Sequence, residues 1–192
     1  MKNFKKKMLL LAIVATGSLT VSAQGLGVVL GGNSGSIFVK NKSSDITRLN
    51  GVFIGPSYQT EHWSTGLYFS QKGYSINNSN NAFVRFNYID LPLNYKFNFG
   101  DKANGFFINY GPTMSFSLGG KLKSGSTSVD IKAGDDMNST DFGVNLGVGY
   151  RFNNFQVGAN SYAAVTRWNK GSGDPAYNQL FTLYVGYFKP KD

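Results

Sequence analysis

The chain of 192 residues contains no cysteine, which excludes disulfides, a lipidated N-terminal cysteine, thiol redox chemistry and cysteine zinc sites. It has a single histidine, and only 15% of its residues are charged. No apolar run approaches the roughly 20 residues that a membrane-spanning helix needs. The mean hydropathy is slightly negative. These absences exclude a disulfide-rich secreted domain and a polytopic helical membrane protein.

What the sequence does contain is a two-residue period. From Phe142 to Phe152 every even position is apolar or aromatic, and every odd position is Gly, Asn or Arg. In the segment 105–118 an apolar face from Phe106 to Leu118 likewise alternates with a face of Asn, Gly, Thr and Ser. Such alternation is typical of a β-strand with one apolar and one polar face. The chain is also 15% aromatic and has 24 glycines, a composition that suits a membrane barrel.

The pattern predicts eight strands, at 25–32, 51–59, 62–73, 84–99, 105–118, 141–152, 155–165 and 180–188. The connections after the second, fourth and sixth strands are short, whereas 33–50, 74–83, 119–140 and 166–179 are longer and polar. Bacterial outer-membrane barrels have short periplasmic turns and long outer loops. We therefore predict an all-β protein, an eight-stranded antiparallel up-and-down transmembrane β-barrel.

Aromatic residues are expected to form a girdle at each end of this barrel. The short-turn end has Tyr58, Trp63, Phe97, Phe99, Phe106, Tyr150, Phe152, Phe155 and Tyr187, and the other end has Phe69, Phe86, Phe116, Phe142 and Phe181.

The first 23 residues resemble a cleavable signal peptide, with a basic start, the apolar run 8–14 and a Val-Ser-Ala cleavage site ending at Ala23. This divides the chain into a signal peptide, 1–23, and a barrel domain, 24–192. Removing four signal lysines leaves a net charge of about +5. No basic helix or aromatic-basic motif accompanies that charge, so nucleic acid is not expected as a partner. We expect export through the inner membrane, removal of the signal and residence in the cell outer membrane.

The fourth predicted strand is irregular in sequence. Phe86 and Tyr88 are out of phase with the apolar residues from Ile89 onward, which predicts a β-bulge near Tyr88. Pro92 removes a backbone donor, so an irregularity is expected there as well. An eight-stranded barrel is just wide enough for its own side chains to fill. We therefore expect the charged residues of the inward faces to form an internal ion-pair network rather than a channel lining: Lys72, Arg85, Asp90, Lys96, Asp141 and Arg151.

One segment carries a family resemblance. The run 88–97, Tyr-Ile-Asp-Leu-Pro-Leu-Asn-Tyr-Lys-Phe, resembles the Pro-containing segment of the PorT-like outer-membrane β-barrel proteins of Bacteroidota. The segments 68–73, 110–112 and 147–150 are similar to the third, fifth and sixth strands of that family. The resemblance implies a small eight-stranded outer-membrane barrel in a family whose members mostly lack a defined activity. The last four residues, Lys-Pro-Lys-Asp, displace the C-terminal aromatic signal that barrel-insertion machinery reads.

No residue is predicted to be catalytic, to bind a cofactor or to bind a metal. His62 beside Glu61 could suggest a lipid-modifying hydrolase, but His62 lies at the periplasmic end, and neighbouring residues on a strand point to opposite faces. Five residues in or beside the longest outer loop could supply oxygen ligands to Ca²⁺ but lack the spacing of a dedicated site: Asp130, Asp135, Asp136, Asn138 and Asp141. We expect a non-enzymatic barrel, structural or binding a surface ligand through its outer loops.

Two alternatives to this interpretation stay open, an outer-membrane hydrolase and a soluble periplasmic ligand-binding barrel with an apolar interior. The expected partners are outer-membrane lipid, lipopolysaccharide, the insertion machinery, and a surface ligand or envelope protein. The lysines of 119–126 could contact the phosphates of lipopolysaccharide.

Overall fold

A computed structural model describes residues 25–39, 46–76, 82–100, 104–170 and 174–189. The predicted signal peptide, 1–23, lies outside these residues, as do the last three residues of the chain and parts of the predicted turn 100–104 and of the connections 33–50, 74–83 and 166–179. No helix of the described part is long and apolar enough to cross a membrane.

The described residues form ten strands, which pair with one another in antiparallel fashion. They are β1 (Gly25–Val39), β2 (Ile46–Gln59), β3 (Trp63–Gly66), β4 (Tyr68–Ile76), β5 (Ala82–Gly100), β6 (Asn104–Ser124), β7 (Thr127–Ile131), β8 (Thr140–Phe152), β9 (Phe155–Ala164) and β10 (Ala176–Phe188).

The sheet closes on itself because β10 pairs with β1 and β5 pairs with β6. The segments β3 and β4 both lie between β2 and β5, so they are two pieces of the third predicted strand. The strand β7 pairs with the outer end of β6 as a hairpin and is not part of the ring. The ring therefore has eight positions, and the predicted eight-stranded up-and-down arrangement is confirmed.

The outer face of the ring is apolar and the inner face is polar. On β8, Val144, Leu146 and Val148 are 50–60% exposed, whereas Asn145 between them is buried. Seven of the nine residues of the predicted periplasmic girdle are exposed as well, whereas Tyr58 and Tyr150 are half-buried. Rings of the girdle contact one another between strands, as for Phe106 and Tyr150 with centroids 4.8 Å apart. Such a surface suits lipid and not water. A soluble barrel with an apolar interior would be its inverse, so that alternative is wrong.

The strands reach further toward the outer side than the sequence predicts. Strand β1 continues to Val39 instead of ending at 32, β6 continues to Ser124 instead of 118, and the predicted loop 119–140 contains β7. The extensions of β1 and β6 lack a sustained apolar alternation, and that of β7 covers only five residues, so the signal by which a strand is detected is weak. The outer side of the barrel is thus a projecting sheet with a hairpin and not four simple loops.

The bulge that was predicted near Tyr88 exists, but its extra residue lies on the neighbouring strand. Asn87 pairs with Gly119 and Tyr88 pairs with Ser117, so Leu118 has no partner on β5. Gly119 has a φ of 97°, a conformation that glycine adopts without a steric penalty. Strand β5 keeps a single alternation past this point.

The bulge has consequences for both strands. Because β5 does not change phase, Phe86 and Tyr88 are fully buried inside the ring, and the prediction that Phe86 belongs to the outer girdle is wrong. In β6 the phase reverses, so that Lys121 and Lys123 are exposed and Leu122 packs inward.

An irregularity also accompanies Pro92, as predicted. The third strand is broken at Leu67, which the register on either side places beside Leu91 and Pro92. Pro92 retains its carbonyl, which accepts a hydrogen bond of 2.7 Å from the hydroxyl of Thr65. The missing N–H of Pro92 explains why its partner strand is interrupted here.

Candidate functional site

A buried ion pair occupies the middle of the barrel. Lys72 of β4 and Asp90 of β5 lie 3.0 Å apart, with side chains that are 1% and 9% exposed. The ammonium of Lys72 also donates to the hydroxyl of Ser115 at 2.8 Å, and it lies 4.5 Å from the ring centre of Tyr88 and 4.4 Å from that of Tyr162. The cation is surrounded on several sides, as a charge taken out of water requires.

A second carboxylate lies further toward the outer end. Asp141 is 1% exposed, and its two oxygens accept hydrogen bonds from Asn178 at 2.9 Å and from the hydroxyl of Thr166 at 3.0 Å. Asn178 also donates to the hydroxyl of Tyr88 at 3.4 Å. These bonds join β5, β8, β10 and the segment after β9, so the polar interior links strands that are distant around the ring.

Two cations meet at a neutral group in the periplasmic half. Lys96 is 1% exposed and donates to Oε1 of Gln59 at 2.8 Å, and Arg151 donates to the same oxygen at 3.0 Å. Lys96 also lies 4.7 Å from the centre of the Phe107 ring.

The predicted inward set is thus correct for Lys72, Asp90, Lys96, Asp141 and Arg151. Arg85 is the exception. It alternates with the buried residues of β5, lies 5.5 Å from the Phe83 ring on the outer face, and donates to the carbonyl of Asn50.

Between the central ion pair and the periplasmic end is a polar cavity of about 60 Å³. It is lined by amide and hydroxyl side chains such as Asn94, Asn109 and Thr113, together with Tyr68 and Tyr184. A water molecule takes up about 30 Å³ of liquid, so this volume suits a few waters. Ligand pockets are typically about 300–1,000 Å³. The cavity therefore does not provide an internal ligand site.

The outer mouth of the barrel is covered by a cap made of residues 132–139 and 165–169. Met137 is fully buried with Val84, Phe86 and Tyr88, and Trp168 packs on Phe86 with ring centroids 4.7 Å apart. Backbone bonds hold the two segments together, including Asn138 N–H to the Trp168 carbonyl at 2.9 Å. The cap lies in segments that the sequence predicts to be polar loops. A lone Met and a lone Trp in otherwise polar loops were the available signal.

The remaining sequence candidates lie apart from this interior. His62 stacks on Tyr95 at the periplasmic end, with centroids 5.9 Å apart and ring planes at 11°. Among the loop acids, Asp136 accepts from the backbone N–H of Lys132 at 2.8 Å, and Asp130 lies 3.8 Å from Lys121. No group of three or more His, Cys, Asp or Glu side chains in the described part could hold a metal ion.

A lipid-compatible exterior, a polar interior filled by its own side chains and a closed antiparallel ring define a small outer-membrane β-barrel. The sequence profile of the family described as "Outer membrane protein beta-barrel domain" matches residues 10–167. The chain belongs to this family and is an outer-membrane protein. Among curated proteins, none matches the sequence.

One solved structure with a TM-score above 0.5 supports the same fold. Neisserial surface protein A is similar with a TM-score of 0.59 at 12% identity, over 88% of this chain and 99% of that one. The outer membrane protein OprG from Pseudomonas aeruginosa has a TM-score of 0.49 at 12% identity, over 88% and 98%. Ail, the attachment invasion locus protein of Yersinia pestis, has a TM-score of 0.48 at 14% identity, over 85% and 98%. At 12% identity the likeness to Neisserial surface protein A concerns the fold alone.

Proposed function

We propose that this protein is a sealed, non-enzymatic outer-membrane barrel that acts through its outer surface, either as a structural element or by binding a surface ligand. The observation that supports the proposal is that the interior is closed at two levels. The Lys72–Asp90 pair fills the middle, and Met137 with Trp168 covers the outer mouth. With the interior occupied, the parts available to a partner are the projecting strands and the cap.

We further propose that residues 1–23 are removed on export and that outer-membrane lipid, lipopolysaccharide and the barrel-insertion machinery are partners. We also propose a relationship to the PorT-like barrels of Bacteroidota. The segment with that resemblance is 88–97. In this fold its Asp90 is the anion of the central ion pair, its Pro92 lies at the strand irregularity, and its Lys96 is the buried cation bonded to Gln59.

The first test is localisation. The full chain is expressed with residues 1–23, and envelope fractions are compared on gels with and without boiling. We expect a mature protein beginning at Gln24 in the outer membrane, with an apparent mass that shifts on boiling. A soluble periplasmic protein without that shift would contradict the proposal.

The second test is conduction. The purified protein is inserted into planar lipid bilayers, and single-channel current is recorded in 1 M KCl, with a porin as the positive control. We expect no steady channel, because the Lys72–Asp90 pair and the cap both obstruct the axis. A reproducible, steady conductance from the folded protein would overturn the sealed-barrel proposal, even if the protein is found in the outer membrane.

A further inference from the structure

A row of basic side chains lies on the outward face of the barrel, at the outer ends of β5 and β6. Arg85 is directly opposite Lys121, and Lys123 is opposite Phe83 one step further out. Residues directly opposite in an antiparallel pair share a face, and so do residues two apart on one strand. Arg85 therefore lies on the same face of β5 as Ile89, whose side chain belongs to the lipid-facing surface.

The height of this row places it just above the hydrocarbon. The outward apolar side chains of β5 extend from Phe99 to Ile89, ten residues. At about 3.4 Å per residue this is about 34 Å along the strand. A tilt of about 35–45° reduces it to a height of about 24–28 Å, which matches the apolar band of roughly 25 Å in outer-membrane barrels.

The next outward residue marks the upper edge of that band. Asn87 is polar, and its side-chain oxygen accepts a hydrogen bond of 3.2 Å from Gln71 on β4. Arg85 comes two residues further out. At about 3.4 Å per residue and a tilt near 40°, Arg85 lies about 5 Å above Asn87, at the level of lipid headgroups.

The charges of the row are poorly balanced by the protein. Like charges directly opposite on neighbouring strands are destabilising. Among the described residues, the row has an ion pair of 3.8 Å between Lys121 and Asp130, whose side chains are mostly exposed at 69% and 77%. Such a pair is weak in water. Among the described residues, the guanidinium of Arg85 has one long bond, 3.4 Å to the Asn50 carbonyl, and its Nε is buried without a hydrogen-bond partner.

We propose that Arg85, Lys121 and Lys123 form a binding site for a phosphate group of lipopolysaccharide in the outer leaflet. Guanidinium groups bind phosphate oxygens in a bidentate manner, and lysines add compact positive charge. An anion between Arg85 and Lys121 converts their repulsion into attraction. Lipopolysaccharide is the occupant because the row continues the lipid-contacting face, where a membrane glycolipid presents its phosphates. The inference rests on the proposed outer-membrane role and specifies one partner of it.

The test compares lipid retention by matched variants. The full chain, purified from outer membranes and delipidated in detergent, is mixed with lipid A that carries its phosphates or with the same lipid after phosphatase treatment. Bound lipid is counted by native mass spectrometry. The variant R85Q/K121Q is compared with R167Q/K132Q, which removes two basic residues from exposed positions of the outer segments that do not belong to the row. The gel shift on boiling establishes that each variant is folded.

We expect the unmodified protein and R167Q/K132Q to bind phosphorylated lipid A at least tenfold more tightly than the dephosphorylated lipid. We expect R85Q/K121Q to lose that preference and excess inorganic phosphate at 10 mM not to displace the lipid. Equal binding by the two folded double variants would overturn the site while leaving the outer-membrane barrel intact. Displacement by inorganic phosphate would overturn the lipid as occupant. A chain that is not heat-modifiable and not in the outer membrane would instead overturn the proposed function.

Discussion

The substitution Asp90→Asn tests whether the central ion pair holds the barrel together. It preserves volume but leaves the ammonium of Lys72, 1% exposed, without its carboxylate partner at 3.0 Å. Removing one partner of a buried pair costs about 3–5 kcal/mol, because the remaining charge stays desolvated. The contacts of Lys72 with Ser115, Tyr88 and Tyr162 are present in both proteins and do not offset the loss.

The assay is urea unfolding of the protein from phospholipid vesicles, with the folded fraction read from the mobility of unboiled samples. The double variant K72M/D90N leaves no buried charge at the pair, so we expect it to recover to within about 2 kcal/mol of the unmodified protein. The control is D130N, which breaks the exposed pair with Lys121 and should change stability by at most about 1 kcal/mol. If D90N lost no more than D130N, or if K72M/D90N were less stable than D90N, the reasoning would be refuted.

Two further substitutions test the ends of the barrel. Met137→Ala removes the side chain that fills the cap, and we expect a loss of about 2–5 kcal/mol in the same unfolding assay and faster cleavage of the outer segments by added protease. Unchanged protease resistance would show that the cap does not depend on Met137, and K132A at an exposed cap position is the control. His62→Ala removes one stacking contact with Tyr95, so we expect a loss of about 0.5–1.5 kcal/mol and no change in the acyl-chain pattern of lipid A isolated from expressing cells. A changed pattern that depends on His62 would support a hydrolase instead.

The ring was predictable because its signal is local and repeated. A strand between lipid and a polar interior must alternate, and the segments of β6 and β8 do so in almost every position. The short turns and the girdle followed from the same constraint. Most of the charged interior residues, from Lys72 to Arg151, were likewise placed correctly by alternation alone.

The outer side was predicted less well for a physical reason. Beyond the apolar band the alternation is short or missing: the extension of β1 begins Asn-Ser-Gly-Ser and ends in three consecutive apolar residues, and the alternation of β7 covers only five residues. The error at Arg85 has another origin. A phase change of β5 near Tyr88 would bring Arg85 into the inward set, but the extra residue lies on β6, so β5 keeps its alternation and Arg85 lies on the outward face near Phe83.

In β6, one extra residue separates the lipid-facing half of the strand from its outer half. Before the bulge, Phe116 and Leu118 belong to the outward face, and Ser115 and Ser117 are buried inside. The extra residue at Leu118 and the positive φ of Gly119 reverse the phase, so Leu122 packs inward under the cap and Lys121 faces outward beside Arg85. The bulge therefore directs Leu122 inward, where it helps to close the barrel, and Lys121 outward. A uniform strand could not do both, since without the phase change the lysine would point into the mouth of the barrel and the leucine into the headgroups.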